Sequence, residues 1–213
     1  MRDIQIMRGK FITFEGSEGC GKSTQSRLLS QYLKRNGLDV VYLREPGGTR
    51  ISEKIRKILL SPRNHIAPTC EMLLYMASRA QTVEEVIEPA LDKGKIVICD
   101  RFLDSTLAYQ GFGLGMDIKL IRRIGSLATH GIKPDLTIFL DLAVEHGLRH
   151  RRENLDRIER RSLNYHFRVR KGYLKLAALE PKRIKIVKVH DNKKLTQEKI
   201  RRITLAVLKY HTQ

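Results

Sequence analysis

The sequence predicts an α/β fold, a five-stranded parallel sheet flanked by helices. Three observations carry that expectation. Five short segments are nearly continuous in apolar, β-branched residues, as expected of strands buried on both faces. Stretches with helical spacing separate them, and this alternation implies parallel pairing through right-handed crossovers. Between the first strand and the first helix lies Gly16–Thr24, G-S-E-G-C-G-K-S-T, which is the setting of a phosphate-binding loop.

The elements follow in order. The first strand is Lys10–Phe14. The first helix is Gln25–Asn36, with Leu28, Leu29, Tyr32 and Leu33 at helical spacing. In the loop between them, backbone N–H groups and the helix N-terminus favour anionic oxygens. Lys22 can reach β- and γ-phosphates, and the Ser23 hydroxyl can bind Mg²⁺. Cys20 sits at the helix start among those amides, which would lower its pKa and open it to thiol reagents; the alternative is an inert small residue filling the loop.

The second strand, Asp39–Leu43, runs into Arg44-Glu45-Pro46-Gly47-Gly48-Thr49. The paired glycines permit a sharp turn that would point Arg44 and Glu45 into the site; taken alone, the stretch reads more simply as a turn carrying two charges. A helix at Ser52–Leu60 and a loop at Ser61–Pro68 follow. A long helix, Thr69–Leu91, has Thr69 as its N-cap and Pro89 near its end. On it Tyr75 and Arg79 are i and i+4 and share a face, where an aromatic ring and a guanidinium can read a base. By spacing alone Tyr75 is more often a core residue.

The third strand, Lys95–Cys99, ends in Asp100-Arg101. A carboxylate there suits a water-mediated Mg²⁺ contact, and Arg101 can fork onto a phosphate; the alternative is a local ion pair. A loop at Gly111–Gly115, a helix at Asp117–Thr129 and a strand at Asp135–Leu140 come next. The helix Val144–Arg151 and the loop Arg152–Glu159 carry a dense arginine cluster. It reads either as a lid at about 149–159 closing on a transferring phosphoryl group or as a basic surface with ion pairs through Asp156, Arg157 and Glu159. Helix Arg160–Leu179, strand Ile184–Val189 and helix Thr196–Tyr210 complete the chain. The interrupting loops gather at the carboxyl ends of the strands, where such sheets bind ligands.

A chain of 213 residues predicts one domain, 1–213. No apolar run approaches the ~20 residues that span a membrane. The three scattered cysteines show no metal spacing and no disulfide framework, which points to a reducing cytoplasm. The net charge of +18 raises a nucleic-acid hypothesis. The segment Val144–Gln213 holds 20 Lys+Arg and 7 Asp+Glu, or +13 of that +18. Without interleaved aromatics this reads as a solvated basic surface, with no nucleic-acid partner expected.

Taken together, F-I-T-F-E-G-S-E-G-C-G-K-S-T (Phe11–Thr24), R-E-P-G-G-T (Arg44–Thr49), M-A-S-R-A-Q (Met76–Gln81), D-R-F-L-D-S-T-L-A-Y-Q-G (Asp100–Gly111), P-D-L-T-I-F-L-D-L (Pro134–Leu142) and L-D-R-I-E (Leu155–Glu159) resemble the thymidylate kinases. The resemblance implies the phosphate-loop nucleoside monophosphate kinase fold. It implies phosphoryl transfer from Mg²⁺-bound ATP to dTMP, giving dTDP and ADP for dTTP synthesis, in a cytoplasmic homodimer. It places Gly16, Ser17, Glu18, Gly19, Cys20, Gly21, Lys22, Ser23 and Thr24 at ATP, with Glu18 also near the acceptor sugar's 3′-hydroxyl. Arg44 and Arg101 fall at the acceptor phosphate, with Arg56 beside them and Glu45 in the same site. Tyr75 stands where relatives usually stack a Phe on thymine. Arg79 and Gln110 read the base, Thr106 lies near it, and Tyr109 packs on the deoxyribose. Ser23 and Asp100 are the metal residues. Some relatives carry a catalytic arginine where this chain has Gly19. The chain resembles the bacterial kind, whose lid supplies the charge, so Arg151 or Arg152 joins Lys22, Arg101 and Glu18 as a catalytic residue, and Arg149 or His150 falls near adenine. The competing readings are another nucleoside monophosphate kinase and a nucleic-acid-binding ATPase.

Overall fold

The computed structural model describes residues 8–149 and 155–209. Five parallel strands form one sheet in the order β2-β3-β1-β4-β5. They are β1 (Phe11–Glu15), β2 (Val40–Arg44), β3 (Ile96–Asp100), β4 (Leu136–Asp141) and β5 (Ile184–Lys188). Every residue of β1 and β3 is buried, as the unbroken apolar runs predict. The edge strands depart from that expectation: β2 and β5 are only partly buried, and Ile186 of β5 is 41% exposed. A strand with one neighbour has an uncovered flank, so a continuous apolar run does not by itself guarantee burial there.

Register builds the site. Phe14 pairs with Asp100, and Asp100 pairs with Arg44 on its other side. The carboxyl ends of β1, β3 and β2 therefore lie side by side, and each leads into a loop carrying charged residues. This is the crevice where parallel sheets hold ligands.

Helix α1 (Lys22–Arg35) starts three residues before the predicted Gln25, directly on the phosphate loop, and Gly21 supplies the left-handed turn that launches it. Helix α2 (Arg50–Leu60) is capped by Thr49, whose side chain accepts from the Ser52 N–H. The predicted long helix needs two corrections. Helix α3 (Pro68–Thr82) begins with Pro68 in its first turn and Ala67 at the cap, so Thr69 is not the N-cap. It then opens into a wide π turn, Val83–Ile87, before the short helix α4 (Glu88–Asp92). Pro89 lacks the N–H that would bond back four residues and its ring crowds that carbonyl. Widening the turn ahead of it accommodates both.

The predicted loop at Gly111–Gly115 also needs correcting. Helix α5 (Leu103–Thr106) continues into a π segment, Leu107–Gly113. Its glycines serve packing: a Cβ on Gly113 would stand 2.6 Å from the Tyr165 ring. Helices α6 (Ile118–Ala128), α7 (Val144–Arg149), α8 (Leu163–Leu179) and α9 (Lys193–Leu208) complete the fold. Ser162 caps α8 and Asn192 caps α9, so these helices begin at Leu163 and Lys193, not at the predicted Arg160 and Thr196. Helices α1 and α9 pack on one side of the sheet over Ile12, Phe14 and Ile98, and α8 packs on the other over Phe139.

Candidate active site

A cavity of about 470 Å³ opens where the strand ends meet. Its floor is the phosphate loop. Lys22 is buried, and its Nζ donates to the Ser17 carbonyl at 2.7 Å, which holds the ammonium over the loop. Ser23 Oγ donates to Asp100 Oδ2 at 2.5 Å. Both line the cavity, and a hydroxyl beside a buried carboxylate is an oxygen donor set of the kind Mg²⁺ takes. The pair therefore fits the metal that the sequence implied.

Cys20 behaves differently from the expectation for a thiol at a helix start. It is 2% exposed, and burial pushes its thiol up despite Lys22 nearby. It fills space under the loop, as do Gly16 and Ser17; none of the three lines the cavity.

Arg101 is the centre of the polar network. Its backbone is left-handed, φ 74°, a conformation that costs a non-glycine residue roughly 1–3 kcal/mol. That turn aims the guanidinium across the loop. One nitrogen donates to Glu18 at 2.7 Å and to the Tyr109 hydroxyl at 3.1 Å; the other donates to the Gly16 carbonyl and to Ser105 Oγ, both at 3.2 Å. The guanidinium also lies over the Tyr109 ring, 4.8 Å from its centroid. Burial opposes the charge, but Glu18 outweighs it and holds Arg101 firmly protonated. Tyr109 donates its hydroxyl to Glu18 at 2.8 Å. Glu18, Arg101 and Tyr109 thus form one locked cluster on the cavity wall.

Tyr75, Leu60, Ile158, Thr106 and Gln110 also line the cavity, so an aromatic ring and apolar side chains stand in the same pocket as the phosphate loop. Arg44 stands at the mouth, 3.6 Å from Glu53, and Arg56 donates to the Pro46 carbonyl at 2.9 Å. Arg79 is set deeper. It does not line the cavity; it stands behind Glu45 and Thr106, bonded to them at 2.8 and 3.0 Å. Burial raises the Glu45 carboxyl to about 7, against the pull of Arg79.

The L-D-R-I-E segment closes one side. Asp156 Oδ1 accepts from the N–H groups of Ile158 and Glu159 at 2.8 and 2.9 Å. Arg157 reaches Glu71 and the Leu59 carbonyl. Arg149 ends α7, exposed and away from the cavity lining. His150, Arg151 and Arg152 lie outside the described residues. The structure does explain why an arginine is absent at Gly19. That residue is left-handed, φ 70°, and a Cβ there would stand 1.9 Å from the Gly147 carbonyl oxygen of α7.

Reasoning from sequence missed Glu71, Ser105, Leu60 and Gly147. Glu71 had a usable signal, because Glu71, Tyr75 and Arg79 are spaced by four along one helix.

A parallel sheet carrying a phosphate loop, an adjoining serine–aspartate pair and arginines lining the same cavity defines a phosphate-loop nucleotide phosphotransferase. The family model for thymidylate kinase matches residues 14–200. The thymidylate kinase of Thermoanaerobacter sp. strain X514 is 48% identical over 194 residues, 87% of this chain and 96% of that protein. The one from Symbiobacterium thermophilum is 49% identical over 200 residues, 93% of this chain and 94% of its own. The crystal structure of thymidylate kinase from Ehrlichia chaffeensis superposes with a TM-score of 0.76 at 33% identity, covering 92% of this chain and 99% of that one. The chain belongs to the thymidylate kinase family. It is a nucleotide-binding phosphotransferase with thymidylate kinase activity.

Proposed function

We propose that the protein transfers the γ-phosphoryl group of ATP to the phosphate of dTMP, with both nucleotides meeting in the one cavity. The observation that carries this is the Glu18–Arg101–Tyr109 cluster, which ties the phosphate loop to the cavity that Tyr75 and Gln110 also line. The loop, Lys22 and Thr24 hold the donor. Arg44, Arg56 and Arg101 hold the acceptor phosphate, Glu18 and Tyr109 its sugar, and Tyr75, Thr106 and Gln110 its base, with Arg79 bracing Thr106 from behind. Ser23 and Asp100 would hold Mg²⁺, which when bound would offset the charge of the donor phosphates.

No general base is needed, because a phosphate monoester has a second pKa near ~6 and the acceptor is mostly dianionic at neutral pH. The difficulty is bringing two polyanions together. Two unit charges 4 Å apart repel by about 4 kcal/mol at an effective dielectric of 20. Lys22, Arg101 and the lid arginines Arg151 and Arg152 offset that repulsion, and the locked cluster fixes alignment. Arg149 serves the adenine side. We assign the whole chain, 1–213, to one domain with its lid at about 149–159.

Two further assignments follow from surface and composition. Helix α3 packs against α2 and α6, and these three helices expose Ile51, Ile58, Leu73, Leu120 and Leu127, the last 79% exposed. That apolar surface suits a homodimer. No helix among the described residues is long and apolar enough to cross a membrane, and the three cysteines are free, which suits a cytoplasmic protein.

ADP release across a panel of nucleoside monophosphates with Mg²⁺ and ATP tests the reading. dTMP should be the best acceptor, ahead of dUMP by the roughly 1–3 kcal/mol that one methyl group is worth. A better purine or cytidine acceptor, or ATPase activity stimulated by DNA or RNA and not by dTMP, would overturn it.

A further inference from the structure

Glu71 belongs to none of the groups assigned so far, yet it is 0% exposed and carries three charge-assisted contacts. Gln110 Nε2 donates to its Oε1 at 2.8 Å, and Arg157 and Arg161 each reach its Oε2 at 2.6 Å. Arg157 belongs to the L-D-R-I-E segment, and Arg161 lies two residues beyond that segment. Two guanidiniums already donate to one of its oxygens, and a carboxylate paired in this way can only accept hydrogen bonds. It must therefore take the NH₂ end of the Gln110 amide. The amide is planar, with its oxygen opposed to its nitrogen, so fixing the nitrogen on Glu71 fixes the other end as an acceptor. Gln110 itself is 1% exposed and lines the cavity.

We propose that Glu71 is a positioning residue that sets base choice by locking the Gln110 side chain with its carbonyl oxygen toward the acceptor base. The proposal rests on the reading of the cavity as a dTMP site. A thymine ring offers an N3–H donor to that oxygen. A cytosine ring offers a bare N3 acceptor, so oxygen would face a lone pair and a buried acceptor would go unpaired. Discrimination then comes as much from rejecting the wrong pattern as from binding the right one. The same carboxylate ties base reading to the end of the lid through Arg157. A free glutamine could rotate its amide and accept either ring. The one held by Glu71 cannot.

The test compares dTMP with 5-methyl-dCMP, which keeps the methyl group and changes the N3 and C4 pattern. In Glu71→Gln the neutral amide can present either end to Gln110. We expect the ratio of kcat/KM for the two substrates to fall at least ~10-fold, mainly through a lower KM for 5-methyl-dCMP. Arg161→Met breaks the same network without freeing Gln110, so it should lower Tm and leave the ratio unchanged. A merely structural Glu71 predicts lower Tm and an unchanged ratio in both variants, and that result overturns the proposal. If Glu71→Gln does not fold, the wild type still decides. Its Gln110 side-chain amide protons, assigned by their loss in Gln110→Leu, should resist solvent exchange with or without dTMP, and fast exchange overturns the proposal. A wild-type protein that does not phosphorylate dTMP at all contradicts the proposed function instead.

Discussion

Arg101 shows how much chemistry one side chain can organise. A left-handed backbone, five polar partners and an aromatic face fix its fork in place before any phosphate arrives. Such preorganisation is what transition-state charge stabilisation requires. Lysine at this position keeps the charge but loses the planar fork and its five donors. Arg101→Lys should therefore reduce kcat by roughly 10²-fold with a smaller change in ATP affinity. Steady-state kinetics with ATP titrated at saturating dTMP will check this, and near-normal turnover would show that charge alone suffices. Arg101 was readable in the sequence because it follows a strand-end aspartate. Its cluster with Glu18 and Tyr109 was not, since Glu18 lies 83 positions from Arg101 and 91 from Tyr109, and only the parallel register brings it to them.

At the scale of elements, the strands and the phosphate loop were legible because their signals are local: apolar runs, glycines and a lysine in fixed order. The helical course of Leu103–Gly113 was hidden because Gly111 and Gly113 read as breakers. Tertiary packing keeps them helical. Helix α8 lies so close that a Cβ on Gly172 would stand 2.7 Å from the Phe112 ring. Gly172→Ala should cost about 1–3 kcal/mol of stability. It should also lower kcat, because Tyr109 sits on the displaced segment; urea unfolding beside activity will show whether the two losses travel together. The lid is the element where sequence reasoning stands alone. Arg151→Ala or Arg152→Ala should cut turnover at least ~10³-fold, as for arginines that act on a transferring phosphoryl group. Single-turnover measurements in which both variants keep wild-type rates would remove the lid from the mechanism.

The whole molecule should also carry a pH signature. Glu15 and Glu45 are buried, and burial raises each from about 4.5 to about 7, with the Asp104 charge adding to the effect at Glu15. A carboxyl raised on folding contributes stability that is complete below its unfolded pKa and is lost as pH rises through its folded value. These two groups therefore draw stability down between pH 4.5 and 7. Glu15→Gln should flatten that descent, measured as the unfolding free energy in urea across the same window. Assembly can be probed equally directly. Leu127→Lys places a charge on the most exposed large apolar residue among the described residues and should shift a dimer toward monomer in light scattering, while wild-type association would point to another face. The close seating of α7 on the phosphate loop has a consequence for how such kinases can diverge. With the Gly147 carbonyl where any side chain at Gly19 would begin, a single substitution cannot place an arginine in the loop at that position. The helix must retreat first, so a charge there needs a change in α7 as well as in the loop.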